Sequence, residues 1–463
     1  MTVVRALPQT ALREATDRRL LEETIRQGRT TRAELADATG YSRPTVSEAV
    51  RRLVTAGLLD AAGLKETGRR GRIGTFYELG ARAGWVLGLE VDQSGVRWRA
   101  TDLAGRTLSE NQRPPTAPGD AEGLTESLRA AVREAVGGDG PLRAVGVSIA
   151  NPVDPATHET VPLAGSPFPE GLVSPVAMIG DLVTAPVLVD NDVNLAALAE
   201  HRASGAASFA YVYVGAGLGV GLYIGDRLIR GAHGLAGEIG YLPGMLSPTL
   251  AGDLTAGGLG RSDAPSNDVA AVLGLLDRAT FGPSAATDGP AAGGSSTAAG
   301  PPTASGSSAA ADPSAATDPS AAASPSAAAS PSTAAGLSTA RGASAAADPQ
   351  IAGDPPTVAG PTAVSDSATA AGDQRAVGQL IDVVGRAIIS VAAVVDPELV
   401  LLGGPVGTHP ALLPRVRDMI ADAFPGPTRI DRGALGEHAP LHGALQMAVE
   451  HALATAVAVA STG

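Results

Sequence analysis

Apolar positions recur at helical spacing in three short runs at the start of the chain. From Thr16 the stripe is Leu20, Leu21 and Ile25, and Gly28 ends it. Thr31-Arg-Ala-Glu34 has the spacing of a capping box, in which the threonine hydroxyl accepts from the amide three residues on and the glutamate answers. It starts a second helix carrying Leu35 and Ala36, which stops at Thr39-Gly40. Ser42 caps a third, with Pro44 in the first turn, where a missing N–H costs nothing. Val46, Val50 and Leu53 form its buried face, and Gly57 ends it. Leu58-Leu59, a GRRGR turn (Gly68–Arg72) and the returning strand TFYEL follow, the pattern of a β-wing. Residues 1–15 read as a loose arm, so the head spans 16–82.

Beyond it the periodicity changes. Gly84–Asp92 is a continuous apolar run, a buried strand. After a turn at Gln93-Ser94-Gly95, VRWRATDL alternates. Thr125–Val136 reads as a helix, Leu142–Ile149 as a buried strand, and Pro186–Val189 as a strand entering the turn Asp190-Asn191-Asp192. Val193–Ala203 is helical, and YVYVGAGLGVGLYIGDRLI is a strand-turn-strand. A helix over Val269–Ala279 and a stripe of Leu380, Ile381, Val384, Ile388, Val391 and Val395 complete an α/β body. Two lobes are expected, 83–185 and 186–280 joined to 375–463.

Between those pieces, over 281–374, composition collapses to Ala, Ser, Pro, Gly and Thr, with the hexads AAADPS-AATDPS-AAASPS-AAASPS from Ala309 to Ser332. With no aromatic between Gly282 and Asp373 the segment cannot bury enough apolar area to offset chain entropy, and proline every sixth residue prevents a long helix. Disorder is expected. The plain reading is a tolerated loop expansion, since lengthening a loop costs little; the alternative is a partner-binding or modification segment.

Two short helices joined by ATGYS form the helix-turn-helix arrangement. Arg43, Thr45 and Ser47 sit where side chains reach base edges, Arg51 and Arg52 where they suit phosphates, and Arg69, Arg70 and Arg72 at the wing tip. Charge agrees: residues 1–82 hold 15 basic and 10 acidic residues, net +5, whereas the remainder holds 19 and 37, net −18. A basic head on an acidic body points to double-stranded DNA at the head alone. The competing reading is a small helical bundle with ordinary surface arginines.

Asp192 and Glu238 bracket the glycines Gly215, Gly217, Gly219 and Gly221, a grouping suited to a polyhydroxylated ligand beside a phosphate-sized hole. With no cysteine, disulfides and Cys-ligated zinc are excluded. The N-terminus lacks an apolar signal core and no run of 18 apolar residues occurs, so a soluble, cytoplasmic protein without a membrane contact is expected.

These parts, in this order, resemble the ROK family (repressors, open reading frames and sugar kinases) in its transcriptional-regulator branch. Asp190-Asn191-Asp192-Val193-Asn194 is similar to its sugar-binding and catalytic-base turn, and Gly215–Gly221 to its second phosphate loop. GAHGLAGEIGY (Gly231–Tyr241) resembles its signature, and Asp396–Gly404 the strand and glycine pair beside the nucleotide's adenosine. The resemblance implies a two-lobed actin-like (ribonuclease H-like) body, with Asn191, Asp192 and Glu238 bonding sugar hydroxyls and His233 as a further candidate.

The departures matter as much. Asp92-Gln-Ser-Gly-Val96 stands where the kinases read D-x-G-G-T; Ser94 crowds the phosphate path and Val96 removes a hydroxyl, as does Ala216 in the second loop. Tyr241 replaces the signature histidine, so zinc is rejected. Asn151-Pro-Val-Asp154 lacks the glycine of the family's other sugar-side turn. A dimeric DNA-binding repressor sensing a sugar or sugar phosphate is therefore expected, with no cofactor and no catalytic residue. The alternatives are a sugar kinase with an added DNA-binding head, and a ligand-independent DNA-binding protein with a degenerate cleft.

Overall fold

A computed structural model describes residues 9–65, 74–92, 95–115, 120–163, 174–215, 217–242, 269–281, 363–424 and 426–462. The head runs α1 (Gln9–Gln27), β1 (Thr30–Thr31), α2 (Arg32–Thr39), α3 (Arg43–Thr55), β2 (Leu59–Lys65) and β3 (Gly74–Leu79). α1 already begins at Gln9, so the second half of the expected arm is helical. The capping box is formed: the Thr31 hydroxyl accepts from the Glu34 amide at 3.3 Å and the Glu34 carboxylate accepts from the Thr31 amide at 2.8 Å. The Ser42 hydroxyl likewise accepts from the Thr45 amide at 3.3 Å. β2 and β3 pair antiparallel as a wing, with β1 on the outer side of β3. The wing tip, including Arg69, Arg70 and Arg72, lies outside the described residues.

The first sheet of the body contains β4 (Trp85–Asp92), β5 (Gly95–Asp102), β6 (Thr107–Arg113), then, after α4 (Ala121–Glu134), β7 (Leu142–Ile149) and, after α5 (Pro175–Ile179), β8 (Val187–Asn191). Its order is β6-β5-β4-β7-β8, with β4, β5 and β6 antiparallel and β4, β7 and β8 parallel. α6 (Asp192–Ser204) leads to β9 (Phe209–Val214), β10 (Leu218–Tyr223), β11 (Leu228–Ile229), α7 (Val269–Phe281) and α8 (Ala363–Val395). Then come β12 (Leu399–Gly403), the single turn α9 (Gly404–Gly407), α10 (Leu412–Ala423), β13 (Arg429–Arg432) and α11 (Ala439–Thr462). The second sheet repeats the first: β11-β10-β9-β12-β13, again three antiparallel strands continued by two parallel ones.

This repetition corrects the expected division at residue 186. β8 is the edge of the first sheet, not the start of the second lobe. The helices that follow the two sheets are exchanged: α6 packs on β9 and β10, while α11 packs on β4 and β7 and against α6. Close approach is built from glycine. A Cβ on Gly146 of β7 would overlap the Ala444 carbonyl oxygen, and one on Gly443 the Leu195 carbonyl oxygen. α8 starts before the expected Arg375 boundary.

One core joins head to body. Leu20, Leu21, Val50 and Leu53 of the head pack with Leu445, Leu453, Ala456, Val457 and Ala460 of α11. Within the stretches Ala371–Val395 and Gly436–Ser461 the chain is apolar enough by composition to cross a membrane, but half of each is buried in these cores.

Candidate functional site

A cleft of about 310 Å³ lies where the C-terminal ends of β4, β7 and β8 meet the β9–β10 hairpin and the start of α11. Its polar lining includes Glu90, Asp92, Arg97, Asn151, Asn191, Asp192, Tyr211, Tyr213, Glu238, Tyr241 and Glu437. Asn191 caps α6, its Oδ1 accepting from the amides of Val193 at 3.0 Å and Asn194 at 3.1 Å. Its Nδ2 donates to the Asn151 carbonyl at 3.2 Å. Asn191 therefore shapes the turn with the atoms expected to hold sugar. Asp192 is the first residue of α6; burial, ahead of the nearby Glu238 and Asp92 carboxylates, pushes its carboxyl up to about 7. Burial also raises Glu238.

At the other end Arg97 of β5 reaches Glu90 at 2.9 Å and Asp92 at 3.1 Å, and donates to the Glu437 carbonyl just before α11 at 3.4 Å. Glu90 is 4% exposed, and burial pushes it up to about 8 against the pull of Arg97. Arg97 had no place in the sequence reading. The alternation of VRWRATDL puts it on a face with Arg99, but a strand covered on both sides gives no sign of which face looks into a cleft.

The glycines divide their work. Gly217 and Gly219 line the cleft, whereas a Cβ on Gly221 would come within 2.6 Å of Ala197 and Val193 on α6, so that glycine serves packing. Ala216 and Ser94 lie outside the described residues. Tyr213 lies against both Gly215 and Gly404, where a Cβ on Gly404 would meet its ring at 2.8 Å, so a phenol fills the corner beside the glycine pair. His233 is exposed and is not among the described residues that line the cleft, whereas Tyr241 is.

In the head, α3 presents Arg43, Thr45 and Arg51 outward with Ser47 partly covered, while Val46, Ala49, Val50 and Leu53 face inward. Arg51 forms an exposed pair with Glu48 at 2.6 Å. Arg52 is the exception. Its Nε and Nη2 donate to the fully buried Asp17 of α1 at 2.9 and 2.5 Å, and its side chain is 13% exposed. It holds α3 to α1, and the expected phosphate contact is corrected to a structural one. Ser461 of α11 donates to the same carboxylate at 3.1 Å. Glu200, near the end of α6, accepts from the Ala434 and Leu435 amides at 2.9 and 2.8 Å and so anchors the loop entering α11.

Comparison with known proteins agrees with this architecture. Residues 86–249 match the ROK family and residues 13–60 a winged helix-turn-helix DNA-binding domain. The chain is 24% identical over 243 residues to the xylose repressor of Bacillus subtilis, 50% of this chain and 62% of that protein. It is 30% identical over 273 residues to a transcriptional regulator of Mycobacterium tuberculosis, 57% of this chain and 59% of that one. A glucokinase of Streptomyces coelicolor is 30% identical over 169 residues, 34% and 50% of the two chains. The chain thus spans less than two thirds of each of these relatives. The crystal structure of a ROK family transcriptional regulator, a homologue of the E. coli MLC protein, superposes with a TM-score of 0.55 at 14% identity, over 97% of this chain and 99% of that one, which shows a shared fold. The chain thus carries a ROK family domain over residues 86–249 behind an N-terminal winged helix-turn-helix domain over residues 13–60.

Proposed function

We propose that the protein is a DNA-binding transcriptional repressor whose interlobe cleft takes a small polyhydroxylated effector. The observation that carries this reading is α11: it starts beside the cleft, where the carbonyl of Glu437 meets Arg97, and its far end completes the core of the DNA-binding head. A change at one end of a single packed helix is felt at the other. At about 1.5 Å per residue this helix is about 36 Å long, enough to reach from site to site. Arg43, Thr45, Ser47 and Arg51 are the DNA contacts of α3, Arg69, Arg70 and Arg72 those of the wing, and Asp192 and Glu238 the effector contacts. The protein acts as a cytoplasmic homodimer, two heads matching two half-sites.

No kinase activity is expected. Arg97 pairs with one oxygen each of Glu90 and Asp92 at the phosphate end, and Tyr213 occupies the corner by the glycine pair, an arrangement that does not favour a nucleotide there. The test is fluorescence anisotropy with DNA from upstream of the protein's own coding sequence. Arg43→Ala should weaken binding about tenfold or more, a loss in the range of one good base contact. Arg52→Ala should instead lower the melting temperature. Equal binding by the parent protein and Arg43→Ala would remove the assigned groove contact. Xylose and glucose are the first effectors to add. Hexose-dependent ATP turnover lost in Asp192→Asn would replace the repressor by a kinase.

A further inference from the structure

Five carboxylates line the cleft, Glu90, Asp92, Asp192, Glu238 and Glu437, and among the described lining residues Arg97 alone carries a cation. Arg97 is committed to Glu90 and Asp92 and leaves both Asp192 and Glu238 without a positive neighbour in the lining. A second, separate observation concerns hydrogen bonding. Glu90 is 4% exposed and its Oε2 has no partner. Ser148, directly in register with it on β7 and fully buried, has an unpartnered hydroxyl. A buried polar atom left without a partner is costly, so Glu90, which lines the cleft with the unpartnered Ser148 hydroxyl beside it in register, presents an unmet hydrogen-bonding demand to whatever enters.

A neutral hydroxyl brings one donor and no charge. A protonated primary amine brings three donors and the compensating charge that the carboxylates lack. Resting on the reading of the cleft as an effector site, we infer that its effector is cationic: an amino sugar or a similar amine-bearing polyol, its ammonium group set among Glu90, Asp92 and Asp192. The raised carboxyls of Glu90 and Asp192 fit, because groups held partly protonated by burial are the ones a bound cation would ionise.

The experiment is isothermal calorimetry on the full chain at neutral pH with glucosamine, galactosamine and mannosamine. Beside each stand the parent hexose and the N-acetyl derivative, with xylose added. At least one amine should bind at least tenfold more tightly than both its parent and its acetylated form, and its binding should release protons, so that the observed heat changes with the ionisation enthalpy of the buffer. Glu90→Gln should remove the preference; if that variant fails to fold, the buffer dependence in the unaltered protein decides. Equal or tighter binding of the parent hexoses or xylose overturns the cationic effector and leaves the sugar-sensing cleft standing. No binding by any member of the panel overturns both.

Discussion

Arg97 offsets the repulsion among the carboxylates of the cleft, but it does so for only part of the lining. Glu90 is a carboxyl strongly disfavoured as an anion by burial, and its ionisation should be visible in stability. Its ordinary value of 4.5 is pushed up to about 8, so the folded state holds a proton that the unfolded chain has lost. The stabilising share of Glu90 is therefore full below its ordinary value and lost as the pH rises through its folded one, and Asp192 acts in the same direction up to about 7. The melting temperature should fall between about pH 6 and about pH 8, and Glu90→Gln should flatten that slope. A slope unchanged in the variant would assign the effect elsewhere. At this scale the sequence was a partial guide. Asp192 and Glu238 could be picked out because carboxylates beside glycines announce a polar cleft. Asn191 looked like a ligand contact because capping and recognition use the same amide atoms. Arg52 looked like a phosphate contact, although it follows Ala49 by one helical turn and adjoins Leu53, at the border of the buried stripe.

Among the elements, the caps and glycines of the head were legible because each is a local rule: Thr31 with Glu34, Ser42 with Pro44. The partition of the body was not. That β8 closes the first sheet, and that α6 and α11 change places between sheets, depends on pairings between residues far apart in the chain, which no local periodicity encodes. The glycines at those crossings are the checkable trace. Gly146→Val puts branched carbon where the Ala444 carbonyl already sits and should destabilise the fold by about 1–3 kcal/mol or more. The loss should be read as a lower midpoint in urea, and a midpoint equal to that of the unaltered protein would mean that α11 does not lie tightly on β7.

In the whole molecule, the cleft and the head share α11, so whatever couples them must act in both directions. If the effector weakens DNA binding by some factor, bound DNA weakens effector binding by the same factor. Calorimetric titration of the panel sugar that binds best, with and without saturating operator DNA, should return two affinities that differ by the ratio measured in the anisotropy assay. Identical affinities would mean that the two sites ignore each other.

The shared core has one more consequence, for exchange of parts between proteins. Leu20, Leu21, Val50 and Leu53 belong to a core that includes residues of α11 more than 380 positions away in the sequence. Cut free, residues 9–82 would turn that apolar face to water and leave Asp17 without the Ser461 hydroxyl. The head is consequently no cassette. A chimera that grafts it onto another body must bring along the face of α11 that runs from Leu445 to Ser461, or it will trade DNA specificity for aggregation.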